Sequence, residues 1–284
     1  MTGVQAGMLS GNRLHLQHGP IDLVIGADGD RARAFAAARN RFGTILARLV
    51  TELDDLRRPI RPDTPAPAGA VAKRMHTAAM PFCDTYLTRM IAVAGAVADE
   101  VLHAMTSATP LRRAYVNNGG DIALHLAKGE RFTMAMAGLD GHDLGRIEIG
   151  YANGIGGIAT SGQGGRSLSF GVADSVSVLA KNAATADVAA TLVANAVDLP
   201  NHSAIHRAPA HDLHDDTDLG DRPVVTRCDP LSATDIETAL NNGIRTARAM
   251  LDQNHIHAAA LFLQGQSHTL GHQFTPQNRT IAHA

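Results

Sequence analysis

The chain has no tryptophan and only 4% aromatic residues, which removes the stacking surface on which single-stranded nucleic acid is held. It also lacks a basic excess. Against 27 Asp and Glu stand 25 Lys and Arg, a formal charge of −2, so the phosphate-neutralising footprint of a nucleic-acid binder is missing. Nucleic acid is excluded as an expected partner. The two cysteines, Cys83 and Cys228, allow one disulfide at most and neither lies in a CxxC pair, so buried free thiols are expected. No apolar run reaches the roughly 20 residues of a bilayer span, and residues 1–12 lack the cationic start and apolar stretch of a signal peptide. The expectation is a cytoplasmic protein with no membrane partner.

What is present is a core-forming composition, 45% hydrophobic over 284 residues, enough for one domain covering 1–284. Two short apolar runs in 13–27, broken by Gly19 and Pro20, predict a pair of strands ended by the turn signal Asp28, Gly29, Asp30. Helical spacing of Phe35, Phe42, Ile45, Leu46, Leu49 and Leu56 predicts a helix over 31–56, with a proline-rich connector at 59–67. A small-residue helix is predicted over 90–105, strands over 113–122, 145–150 and 174–180, and an alanine-rich helix over 187–197. Residues 201–221 are polar and His-rich and predict an exposed loop. A long helix over 233–253 and a late strand over 257–263 complete a layered α+β arrangement of mixed sheets with packed helices.

The segment most able to form a site runs from Tyr115 to Val197. Asn117, Asn118, Gly119, Gly120 and Asp121 place paired glycines beside a carboxylate, where backbone amides can approach an anionic ligand. Asp121 also suits a turn that it closes through its own backbone bonds. Asp187 and Thr191, four apart on a helix, share one face and can address one ligand or one hard cation, or Asp187 can simply cap the helix start. Arg166 has the planar fork of an anion clamp, unless it faces solvent. Ser161 and Ser167 are hydrogen-bond donors or, given a base, nucleophiles. Thr160, Gln163 and Ser169 add further polar lining. Asp99 and Asp174 form a second carboxylate set, suited to general-base or cation-binding work or to capping. His18, in the turn of Gln17, His18, Gly19 and Pro20, is a functional candidate or a structural hydrogen-bonding group. The His202, His206, His211, His214 set and the His268, His272 pair have metal-ligand spacing, but the former lies in an irregular Pro-containing stretch.

These pieces occur in an order that resembles the ApbE-like superfamily, whose members include FAD:protein FMN transferases. The stretch from Arg113 to Ile122, the run Ala159, Thr160, Ser161, Gly162, and Ala186, Asp187 with Thr191 are similar to its core. The run from Ala92 to Asp99, residues 165–169 and residues 171–174 resemble its non-lipoprotein branch. The likeness spans His18 to Val197. It implies a flavin-transferase-type fold in which Asp187 and Thr191 help hold Mg2+ beside the pyrophosphate of FAD, with FAD or FMN the flavin in question. The chain departs from the transferases in two places: the helix Ala94 to Asp99 has no lysine where they carry a glycine-lysine motif, and residues 164–171 replace their His-Ile-Asp-Pro-x-Thr-Gly segment. The sequence therefore points to an ApbE-like enzyme acting by acid–base or hydrolytic chemistry on a small anionic metabolite or nucleotide-like ligand. A flavin- or nucleotide-binding protein without turnover, and FAD:protein FMN transfer itself, are the alternatives. A homodimer is expected from the small-residue helices and an exposed late strand.

Overall fold

A computed structural model of the protein describes residues 3–137, 143–165 and 167–276. Its strands are β1 (Gln5–Leu9), β2 (Arg13–His18), β3 (Ile21–Gly29), β4 (Leu111–Asn118), β5 (Asp121–Leu126), β6 (Arg131–Ala137), β7 (Asp143–Gly150), β8 (Gly157–Ser161), β9 (Ser175–Ala180), β10 (Ile205–Pro209), β11 (Pro223–Cys228), β12 (Ala258–Leu263), β13 (Gln266–Leu270) and β14 (Phe274–Pro276). The helices are α1 (Arg31–Thr51), α2 (Leu53–Leu56), α3 (Ala70–Ala79), α4 (Val93–Ala108), α5 (Ala183–Ala196), α6 (Ala210–Leu213) and α7 (Ala233–Asp252), with a 3-10 turn, Arg89–Ala92, leading into α4.

Nine strands form one sheet in the order β1-β2-β3-β4-β5-β8-β9-β12-β13, and every neighbouring pair in it is antiparallel. Period-two alternation sorts its side chains between two layers. Leu14, Leu16, Leu23, Ile25 and Val116 pack under α1, α3 and α4, and Ala159, Val176, Val178 and Leu261 pack under α5 and α7. On the opposite face Leu124, Ile158, Leu179 and Phe262 meet Ile147, Ile149 and Phe274 of a second sheet, ordered β14-β7-β6. The chain is thus a layered α+β fold with the helices confined to one side of the large sheet.

α4 organises the helical layer. Its Glu100 accepts from Arg41 Nε of α1 at 2.8 Å and from Arg74 Nε of α3 at 2.7 Å; burial pushes its carboxyl up, but the two guanidiniums overcome this and hold it below the usual range. One residue earlier, Asp99 accepts the first backbone amides of α5, from Ala183 at 3.0 Å and Ala184 at 2.9 Å. The helices meet so closely that a Cβ on Gly95 would lie 2.3 Å from the Ala183 carbonyl oxygen.

Several expectations change. The helical run Arg89–Ala108 has the length and hydropathy of a membrane span, contrary to the sequence analysis, with a mean hydropathy of 1.2 and 56% of the window buried. Its two carboxylates are bonded to neighbouring helices, the arrangement of a core helix. β12, expected as an exposed late strand, lies between β9 and β13 and is buried along its whole length. The His-rich stretch is not a free loop: β10 pairs with β11, α6 follows, and His206 and His211 bond to Asp229 and Asp221. Cys83 and Cys228 are free and only partly buried.

Replacing Gly95 with Ala forces α4 and α5 apart, because the obstacle is backbone. The expected cost is about 1–3 kcal/mol, read as a lower urea midpoint at unchanged slope; an unchanged midpoint would show that the close crossing is dispensable.

Candidate functional site

The site forms where α4, α5, β8 and the β4–β5 turn come together. Asn182, not Asp187, caps α5, its side chain accepting from Thr185 N–H at 2.8 Å. Asp187 therefore stands in the second turn and is free to reach outward. Its Oδ2 accepts the Gly95 amide at 3.0 Å and its carboxylate also receives the Ala94 amide, so it caps the neighbouring helix α4. Thr191, one turn on, shares that face and donates to Ser161 Oγ at 3.4 Å. Ser161 closes β8 on the side of the sheet that faces the helices.

The β4–β5 hairpin supplies the remaining carboxylate. Gly119 and Gly120 have φ of +67° and +113°, the left-handed pair that a two-residue hairpin requires, and Gly120 N–H bonds to Asn117 Oδ1 at 2.9 Å. Beyond the turn, Asp121 lies on the same face as the buried Ala123, toward the helices. Asn118, also on that face, donates from Nδ2 to the Ala94 carbonyl at 3.1 Å and is buried.

Electrostatics single out Asp187. Burial raises its carboxyl well above the usual range, the Asp121 charge raises it further, and Asp99 adds to both against the Gly95 and Ala94 amides. The Asp187 residue is partly accessible. Asp99 is raised as well, by burial first. A proton or a cation relieves such crowding. Among the described residues no three His, Cys, Asp or Glu side chains gather as a metal-binding group. Two carboxylates and two hydroxyls are instead a partial oxygen set of the sort Mg2+ completes with water and ligand phosphates.

The model of the bacterial family described as AbpE bacteria matches residues 6–269. The chain belongs to this family. Among curated relatives it is similar to UPF0280 proteins, at 37% identity over 122 residues for that of Methanococcus vannielii (40% of this chain, 47% of the relative) and 35% over 125 residues for that of Methanothermobacter thermautotrophicus (42% and 46%). The chain spans about half the length of the curated relatives it matches. Among solved structures it is similar to the ApbE protein of Thermotoga maritima, with a TM-score of 0.49 at 10% identity over 93% of this chain and 96% of that one, and to the flavinyl transferase ApbE of Pseudomonas stutzeri, with a TM-score of 0.44 at 12% identity over 96% and 94%.

Not every expected residue of this AbpE-family chain reaches the site. Thr160 turns to the other face of the sheet and bonds Ser177 Oγ at 2.8 Å, since neighbours on a strand point oppositely. Asn117 is spent on its turn. Gln163 Nε2 bonds the Gly171 carbonyl at 3.3 Å, Ser169 is buried against the same carbonyl at 3.1 Å, and Ser167 is exposed. Arg166 lies outside the described residues. Asp174 accepts the Gln264 amide at 2.6 Å and so fixes the β12–β13 turn; burial raises its carboxyl. His18 packs edge-on against Phe42 of α1, its Nδ1 buried without a hydrogen-bond partner, separated from the β4–β5 turn by β3. Sequence reasoning missed Asn195, one turn beyond Thr191, which accepts the Phe170 amide at 2.9 Å and so pins Phe170 to α5. Its i, i+4, i+8 spacing from Asp187 was the available signal.

Because the folded state raises the Asp187 carboxyl, the native protein holds a proton there that the unfolded chain has released above its ordinary pKa of about 3.9. Stability therefore falls as pH rises from that value through the raised one. Asp121→Asn removes one cause, so the variant should gain stability over the parent at pH 7 and gain less near pH 4, in urea unfolding across pH. A difference independent of pH would show that the two carboxylates do not interact.

Proposed function

We propose that the cleft binds the pyrophosphate of a flavin nucleotide through a divalent cation held by Asp187 and Thr191, with Asp121 beside it, and that the protein works as a flavin-transferase-type enzyme. The observation that carries this reading is the convergence of Asp121 and Asp187 beside the Ser161 and Thr191 hydroxyls. That arrangement is unfavourable by itself and favourable around a cation. Family membership supports it, as does the resemblance that matches Asp187 and Thr191 to a magnesium-binding pair. A bound divalent cation would neutralise phosphate charge and polarise a phosphoryl oxygen. The chain's own part is to fix the geometry: Gly95 and Ala94 amides lock the Asp187 rotamer, Asn118 ties the β4–β5 turn to α4, and Thr191 meets Ser161 across the cleft floor.

Serine hydrolysis fits poorly. Ser161 has a hydroxyl as its bonded neighbour, and a hydroxyl is no general base for activating a serine. The same poverty of bases, with the absent lysine of the glycine-lysine motif, favours a second reading in which the site binds flavin nucleotide without turnover.

Thermal-shift titration with FAD separates these readings. Magnesium-dependent stabilisation should appear in the parent and be lost in Thr191→Val and Asp121→Asn; flavin covalently attached to an acceptor protein then marks a transferase and its absence a binder. Equal stabilisation by FAD without magnesium, or in both variants, would overturn the cation reading.

A further inference from the structure

A second cavity, of about 1010 Å3, opens on the outer side of α5, between that helix, α7, the β10–β11 unit and residues 81–86. It has the size of a small-molecule site. Its far wall comes from residues after Val197, beyond the stretch that resembles the superfamily core.

Three arginines line it against two aspartates, Asp84 and Asp198, and they are not equivalent. Arg207 is already committed: it bonds Asp198 Oδ1 at 2.6 Å and the Phe170 carbonyl at 2.5 Å, which fixes Phe170 as a wall. Arg222 stacks its guanidinium 3.2 Å over the centre of the Tyr86 ring, and Tyr86 is itself anchored by its hydroxyl to the Asp218 carbonyl at 2.8 Å. Thr88 bonds the Asp218 carboxylate from the same segment. Arg222 and Arg245 otherwise bond only neutral oxygens, at Leu219 and Asn242, and neither makes an ion pair among the described residues. A stacked guanidinium whose rim is uncommitted presents its N–H fork to a planar anion. Phe82, Phe170 and Leu192 offer apolar surface beside it.

We propose that this cavity is a separate binding site for a small molecule with an anionic head and an apolar or aromatic body, the phosphate or carboxylate held between Arg222 and Arg245. Asn195 lines it and lies eight residues along α5 from Asp187, about 12 Å at 1.5 Å per residue. Two ligands can therefore occupy the same helix at once. The inference stands without the cation reading of the cleft, since it uses none of the same side chains.

Calorimetric titration with inorganic pyrophosphate, citrate and ADP, each in excess chelator to remove divalent cations, tests it. At least one probe should bind, with affinity reduced about tenfold or more in Arg222→Gln and in Arg245→Gln and unchanged in Asp121→Asn. Pyrophosphate against citrate distinguishes a phosphate from a carboxylate head, and ADP binding more tightly than pyrophosphate shows that the apolar wall is used. Arg245 is on the exposed side of α7, so its variant folds even if Arg222 proves structural. No binding of any probe at millimolar concentration, or binding weakened by Asp121→Asn and by neither arginine variant, overturns the proposal.

Discussion

Everything at the cleft depends on the crossing of α4 and α5, where each helix supplies the acceptor that the other's N-terminus needs. Asp99 of α4 takes the Ala183 and Ala184 amides, and Asp187 of α5 takes the Gly95 amide. Two helix N-termini at close quarters carry like partial charges, so the contact needs acceptor oxygens between them. The two carboxyl groups supply those acceptors at the cost of burial, which raises both; the Asp121 and Asp99 charges raise Asp187 further, and the Glu100 charge adds to Asp99. The fold has solved one electrostatic conflict by creating a smaller one that opens into the cleft.

That crossing was only half legible in the sequence. Amphipathic spacing was enough for α1, α7 and the β2–β3 pair, because those elements bury one face and show the period. The i, i+4 relation of Asp187 and Thr191 was equally local. What Asp187 touches was not, since Gly95 is 92 residues away and a carboxylate in an alanine-rich helix carries no mark of a distant partner. The close packing expected at Gly95 is present against the start of α5, but its partner could not be read from the sequence. Gly119 and Gly120, read as room for a ligand, are the positive-φ residues of the β4–β5 turn, and Gly171 is room for backbone: a Cβ there would sit 2.1 Å from the Ala194 carbonyl oxygen.

Strand parity explains the other errors. Thr160 with Ser161, and Asn117 with Asn118, enter as undivided motifs, but alternate residues face opposite layers, so each pair yields one cleft residue and one that serves a turn or the far side. Choosing between them required knowing which face carries helices. The His-rich stretch failed for a different reason: β10 and β11 are short and far apart in sequence, and α6 and the Asp218 anchor fill a connection whose composition alone reads as solvated.

The missing lysine of the transferase motif takes on a physical meaning at this cleft. An ammonium there would add a fixed positive charge beside the carboxylates; without it, Asp187, raised by burial and by the Asp121 charge, is relieved by a proton. On the proposed reading a cation would displace that proton, so its uptake would strengthen as pH rises through the raised Asp187 value. A cleft so arranged is rigid in its backbone, through the reciprocal caps, and variable in its charge, which suits a site whose ligand brings its own phosphates and need not find a fixed positive group waiting.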